Sequence, residues 1–152
     1  MLRILTVIAV TALIRSPLEA CLWESIAQTE ARYGPTLEKL PGDAPDEEQR
    51  KYRYKDFYIL VTFLHGHSDD EWYFHIDCKT PFSDRDIEFF LSMTSGGKPW
   101  QKSPDSATWS LGGSTVESWK AVAAYYPKLP GTTIPGLGIY TFARAKKVMK
   151  IP

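Results

Sequence analysis

One cluster between positions 65 and 78 brings together side chains that metal and acid–base chemistry use, among them His65, His67, Asp69, Asp70, His75, Asp77 and Cys78. Imidazole, carboxylate and thiolate are the usual ligands of zinc and related ions, and all three histidines of the chain fall in this stretch. A centre built from His65, His67 and His75 would make the chain a metal-dependent hydrolase. The spacing argues for a simpler reading. Gly66 suits a tight turn, so His65 and His67 need not point the same way, and no spaced second pair completes the His-x-His. A solvated hairpin turn accounts for the same residues. Other chemistry finds less support. Ser114 follows Gly112-Gly113 without a Gly-x-Ser-x-Gly elbow. Asp84, Asp86 and Glu88 sit at a helix start, where acids are favoured anyway. There is no phosphate loop, dinucleotide fingerprint or Cys-x-x-Cys. The sequence implies no cofactor and favours a non-enzymatic role.

The rings point elsewhere. Five Trp, eight Tyr and seven Phe make up 13% of the chain, a load that suits half-buried sheet faces and binding surfaces. Most of these rings are expected to line the core or pair across strands. Tyr52, Tyr54, Trp72 and Trp109 are the candidates for an exposed patch on an open sheet face, where a protein, peptide or glycan would bind. Eighteen basic residues balance eighteen acidic ones, which argues against a nucleic-acid partner.

The elements that must position these residues follow from periodicity and punctuation. Residues 1–20 read as a signal peptide: Arg3, an apolar run from Ile4 to Ile14, Pro17, and a small residue at Ala20. The run is too short to span a bilayer, so the product is expected to be secreted or periplasmic, as a single domain over 21–152. Cys21 and Cys78 are the only cysteines. In an oxidising compartment they would pair; alternatively Leu18-Glu19-Ala20-Cys21 serves as a lipobox and Cys21 anchors the chain to the envelope. Leu22, Ile26, Ala27 and Tyr33 mark one face of a first helix, stopped at Gly34-Pro35. Leu37 to Leu40 reads as a short strand and Pro41 to Gln49 as a mobile acidic loop. Tyr52 to Tyr54, Tyr58 to Leu64 and Trp72 to Ile76 form an antiparallel meander with its turn at His65-Gly66. Ser83 caps a second helix that carries Ile87, Phe90 and Leu91. Trp109 to Leu111, Val116 to Tyr126 and Leu137 to Phe142 are the remaining strands, before a solvated tail at Lys146-Lys147.

Two helices on one face of a mainly antiparallel sheet of about six strands make an α+β domain. Its core is expected to hold Ile26, Tyr33, Ile59, Val61, Phe63, Phe90, Leu91, Val122 and Tyr140. Helix, glycine stop, polar loop and three strands occur twice, over 22–78 and 83–143, which suggests an internal duplication. Tyr33-Gly34-Pro35 after a short helix, and Phe63-Leu64-His65-Gly66 at the end of a strand, resemble the turn patterns of a known group. These are small exported bacterial proteins with a β-lactamase-inhibitor-protein-like fold, outer-membrane-assembly lipoproteins among them. The resemblance implies a tandem helix-plus-sheet fold and a binding, inhibitor or envelope-scaffold role, with no catalytic residue carried over.

Overall fold

The computed structural model describes residues 22–150. The proposed signal peptide over 1–20 and the Cys21 half of the proposed disulfide lie outside the described residues. Helix α1 (Ile26–Tyr33) opens on a capping box, in which the Ser25 side chain and Gln28 satisfy each other's backbone N–H groups. It stops at Gly34, whose φ of +90° suits the residue without a Cβ. Strands β1 (Glu38–Pro41), β2 (Glu47–Tyr54), β3 (Phe57–Leu64) and β4 (His67–His75) follow. Helix α2 (Asp84–Thr94) has the expected Ser83 cap, returned by Asp86. Strands β5 (Gln101–Lys102), β6 (Thr108–Gly112), β7 (Trp119–Tyr126) and β8 (Gly136–Thr141) precede helix α3 (Phe142–Met149). The β3–β4 connection is two residues long, with His65 at φ +52° and Gly66 at +81°. Both central residues on the left-handed side are what a type I′ hairpin turn requires.

The eight strands among the described residues join one antiparallel sheet in the order β1-β2-β3-β4-β8-β7-β6-β5. Each helix, α1 and α2, is followed by four strands, and the last strands of the two runs, β4 and β8, pair at the centre. The α+β class stands, with two more strands than expected and a third helix. The repeating element order is therefore helix plus four strands, where the sequence pattern suggested three.

Three local expectations change. The acidic stretch placed in a loop is already strand at Glu47, whose side chain is buried. Residues 116–118 are a 3₁₀ turn, so β7 begins only at Trp119. The tail read as solvated is helix α3, with Phe142, Ala145 and Met149 on the side that meets the sheet.

Side chains alternate across the sheet, and register sorts them. Tyr52, Ile59 and Tyr73 pair in one row, and this helical face is covered by α1 and α2. There Tyr33 packs on Tyr52 and Tyr54, and Phe90 meets Phe57, Tyr73 and Phe82. Tyr33, Ile59, Val61, Phe63, Phe90 and Leu91 are buried there as expected, with Ile26 half-buried against them. Val122 and Tyr140 are buried too, but in a separate cluster on the opposite face under α3. No helix among the described residues is long and apolar enough to cross a membrane.

Candidate functional site

The histidine centre does not assemble. His65 and His67 lie at one end of β4 and His75 at the other, about 26 Å apart along the strand. His67 Nδ1 contacts the Trp23 carbonyl oxygen at 3.1 Å, and the His75 ring is packed between Phe57 and Phe82. No group of three His, Cys, Asp or Glu side chains among the described residues is placed to hold a metal ion. The alternative reading of a metal centre at His65, His67 and His75 does not fit that geometry.

Asp69 and Asp70, read as turn residues, are instead buried in β4 beside the fully buried Glu71. Alternation turns Asp70 and Glu71 to opposite faces, and a bulge at Asp69, opposite Thr62 and Phe63, leaves Asp69 on the α3 side with Asp70, so these acids serve two networks. On the helical face Glu71 accepts hydrogen bonds from Arg32 at 2.7 Å, Tyr33 at 2.7 Å and Tyr73, while Arg32 also reaches Glu24 at 2.6 Å. Burial, reinforced by the neighbouring Glu71 carboxylate, pushes the Tyr33 and Tyr73 phenols well above their usual range. On the second face Arg144 of α3 binds Asp70 at 2.9 Å and Glu47 at 2.7 Å. Thr141, the α3 cap, donates to Asp69 at 2.5 Å. Burial raises Asp70 to about 6 even with Arg144 and Thr62 pulling it down. Both networks are closed in on protein partners. They fasten α1 and α3 to the sheet.

The four candidate rings divide. Tyr52 is fully buried, Tyr54 is half-buried between Tyr33 and Phe89, and Trp109 packs on the same helical core. Tyr52 and Tyr54 lie beneath α1 and α2 rather than on an open face, while half-buried Trp109 also lines two concavities near β5 and β6. Period-two spacing reveals that two residues share a face but not which face the helices choose. Only Trp72 lies on the second face. There it stacks on Phe74 with ring centroids 6.2 Å apart and meets Tyr140 edge-on at 5.5 Å.

Beyond Phe74 the second face opens into a groove of about 300 Å³ that α3 does not line. Leu40, Tyr58, Leu60, Phe74 and Ile134, all half-buried, form its apolar lining. Glu38 and Lys51 stand at its rim, and the Lys51 ammonium lies 4.2 Å from the Tyr58 ring centroid. Tyr58 and Leu60 alternate with the core residues Ile59 and Val61 and were legible as strand residues. Their exposure was not, since a continuous apolar run reads as buried on both sides.

Two glycines of β8 keep this face smooth. A Cβ at Gly136 would stand 3.0 Å from Phe74 Cε1, and one at Gly138 would collide with the Tyr140 phenol end. Tyr140 is 1% exposed and braced by Trp72, so it has little room to yield. Gly138→Val is expected to cost about 1–3 kcal/mol through overpacking, measured as a lower urea midpoint; an unchanged midpoint would show that the ring moves freely.

Cys78 is a free, half-buried thiol at the groove edge. Trp23 N–H donates to the Ser68 carbonyl at 2.8 Å, at the far end of β4 from Cys78. Ser68 to His75 spans about 23 Å, and two residues of chain from Trp23 to position 21 reach about 7 Å at most. A Cys21–Cys78 bond therefore requires the Trp23–Ser68 pairing to open. Peptide mapping of the native chain without reduction is expected to find no Cys21–Cys78 linked peptide; finding that peptide would mean the Trp23–Ser68 pairing is broken in solution.

The site thus belongs to an α+β sheet protein with one helix-covered face and one partly open apolar face. No family model matches the chain, and no curated protein matches it in sequence. Among solved structures, a cysteine-rich secretory protein from Staphylococcus aureus subsp. aureus Mu50 is similar at a TM-score of 0.47 and 10% sequence identity. The match covers 85% of this chain and 47% of that protein, so this chain spans about half its length.

Proposed function

We propose that the chain is an exported, non-enzymatic binding module that holds a partner protein through the open part of its second sheet face. The observation that carries this reading is the apolar groove of Leu40, Tyr58, Leu60, Phe74 and Ile134, continuous with Trp72. Apolar side chains gathered in a concavity and rimmed by polar ones are the anatomy of a docking surface. Glu38 and Lys51 add one charge of each sign, which suits a segment of mixed charge with an aliphatic or aromatic anchor. An anchor filling the groove would supply most of the affinity. Of the residues singled out in the sequence, Cys78 lies at the groove edge and Trp72 adjoins it through Phe74.

The test uses a random-peptide library displayed on phage and selected on the intact chain. Enriched peptides are expected to share an apolar anchor and to lose tenfold or more in affinity on Leu60→Ser, about 1.4 kcal/mol. The control Val148→Ser, at an exposed position on α3, is expected to leave binding unchanged. No enrichment, or binding indifferent to Leu60→Ser, would overturn the reading.

A further inference from the structure

A second concavity lies at the other end of the sheet, apart from the groove just described and independent of that proposal. Strand β5 pairs with β6 through only two residues, Gln101 with Ser110 and Lys102 with Trp109. Ser103 N–H still reaches the Thr108 carbonyl at 2.9 Å, and Pro104 lines the opening beyond it. Ser114, which follows Gly112-Gly113, completes the rim of a cleft of about 260 Å³. That is near the lower end of the size range for ligand sites, enough for a small ring.

Its lining has a particular chemistry. Ser110 and Val122 pair in register and are both nine-tenths or more buried at the base. No described residue hydrogen-bonds the Ser110 hydroxyl, which is left facing the cleft. Trp119 forms a wall, and its indole is braced by the Phe142 ring, edge-on at 6.1 Å. Gln101, Ser103 and Ser114 supply an amide and two hydroxyls, and Lys102 the only charge. The lining includes no carboxylate, imidazole or thiolate, so it offers neither a metal's ligands nor a base to activate a serine. Its lining mixes apolar surface with hydrogen-bonding groups that a purely hydrocarbon ligand would leave unpaired. An aromatic plane beside uncharged groups that both donate and accept hydrogen bonds matches a ring with an apolar C–H face and a hydroxylated edge.

We infer that the β5–β6 cleft is a saccharide subsite, with Trp119 as the platform for the sugar face and Ser110 and Gln101 bonding its hydroxyls. Trp109 also lines the cleft but packs against the helical core, so the platform is assigned to Trp119.

Saturation-transfer NMR on the intact chain tests this with cellotriose, chitotriose, mannotriose and trigalacturonate as probes. Transfer to at least one probe is expected, together with a change in tryptophan fluorescence. Ser110→Ala should weaken binding about fivefold, the effect of one lost hydrogen bond. Trp119→Phe should retain binding and Trp119→Ala abolish it. Circular dichroism and urea midpoints identify any variant that fails to fold, and Ser110→Ala, a small change, keeps the test decisive if Trp119→Ala does. No transfer to any probe, or affinity unchanged by Ser110→Ala, would overturn the inference.

Discussion

Replacing Glu71 by alanine is expected to remove about 3–5 kcal/mol of folding stability, the typical cost of breaking a buried charge pair. Glu71 is fully buried in the centre of the sheet. Its two oxygens take hydrogen bonds from Arg32, Tyr33 and Tyr73. The Tyr33 and Tyr73 hydroxyls lie 3.0 Å apart, but they cannot take over the Arg32 contact. Alanine would leave Arg32 with one fewer carboxylate in a nearly dry site and open a hole beneath α1. A loss of that size is a large share of the stability of an ordinary domain. Glu71→Gln keeps the shape and one acceptor, so it should lose less. Urea unfolding of the two variants gives the ranking. A Glu71→Ala loss under about 1 kcal/mol would contradict the network as a fastening for α1.

Arg144→Ala should be comparably damaging at neutral pH and much less so in acid. Arg144 alone joins Asp70 and Glu47 by hydrogen bonds, and both carboxylates are about 3% exposed. Removing it leaves two buried anions near Asp69, with the exposed Lys147 ammonium 3.8 Å from Glu47 as compensation. The expected cost is about 3–5 kcal/mol at pH 7. Acid relieves it, because Asp70 then takes up a proton.

The unmodified chain already carries this pH dependence. Its Asp70 is raised from 3.8 to about 6 by burial. The folded state therefore binds that proton more tightly than the unfolded state. Stability from this group is fully present below about pH 4 and is lost as pH rises through 6, a change of about 3 kcal/mol. Asp70→Asn should flatten the decline between pH 4 and 6. A slope that persists in that variant would assign the effect to another group.

The elements that the sequence revealed are those whose signals are local. Ser83 with Asp86 three residues on is a complete helix start, and Leu64-His65-Gly66-His67 carries its hairpin turn within the turn itself. Tyr58 to Leu64 could only be a strand. What stayed hidden depends on partners far along the chain. Asp70 is buried because Arg144 stands 74 residues away in sequence, and Glu71 because Tyr33 and Arg32 stand 38 and 39 residues before it. A run of acids after a turn otherwise reads as solvated. For the same reason α3 looked like a basic tail: Lys146 and Lys147 are exposed, while Arg144, Ala145 and Phe142 do the anchoring. The groove fell between the two cases. Leu60 and Phe74 were placed on strands, but their exposure depends on where α3 ends, which no short-range pattern records.

The central claim is that the open part of the second face is where a partner sits. It is tested most directly by methyl-labelling leucine and isoleucine in the intact chain and titrating it with a library-selected peptide. The account predicts shifts at Leu40, Leu60 and Ile134, with Ile26, Ile59 and Ile87 of the helical face unmoved. Shifts centred on Ile26 and Ile87, with the groove methyls silent, would place the partner on the opposite side of the sheet and contradict it.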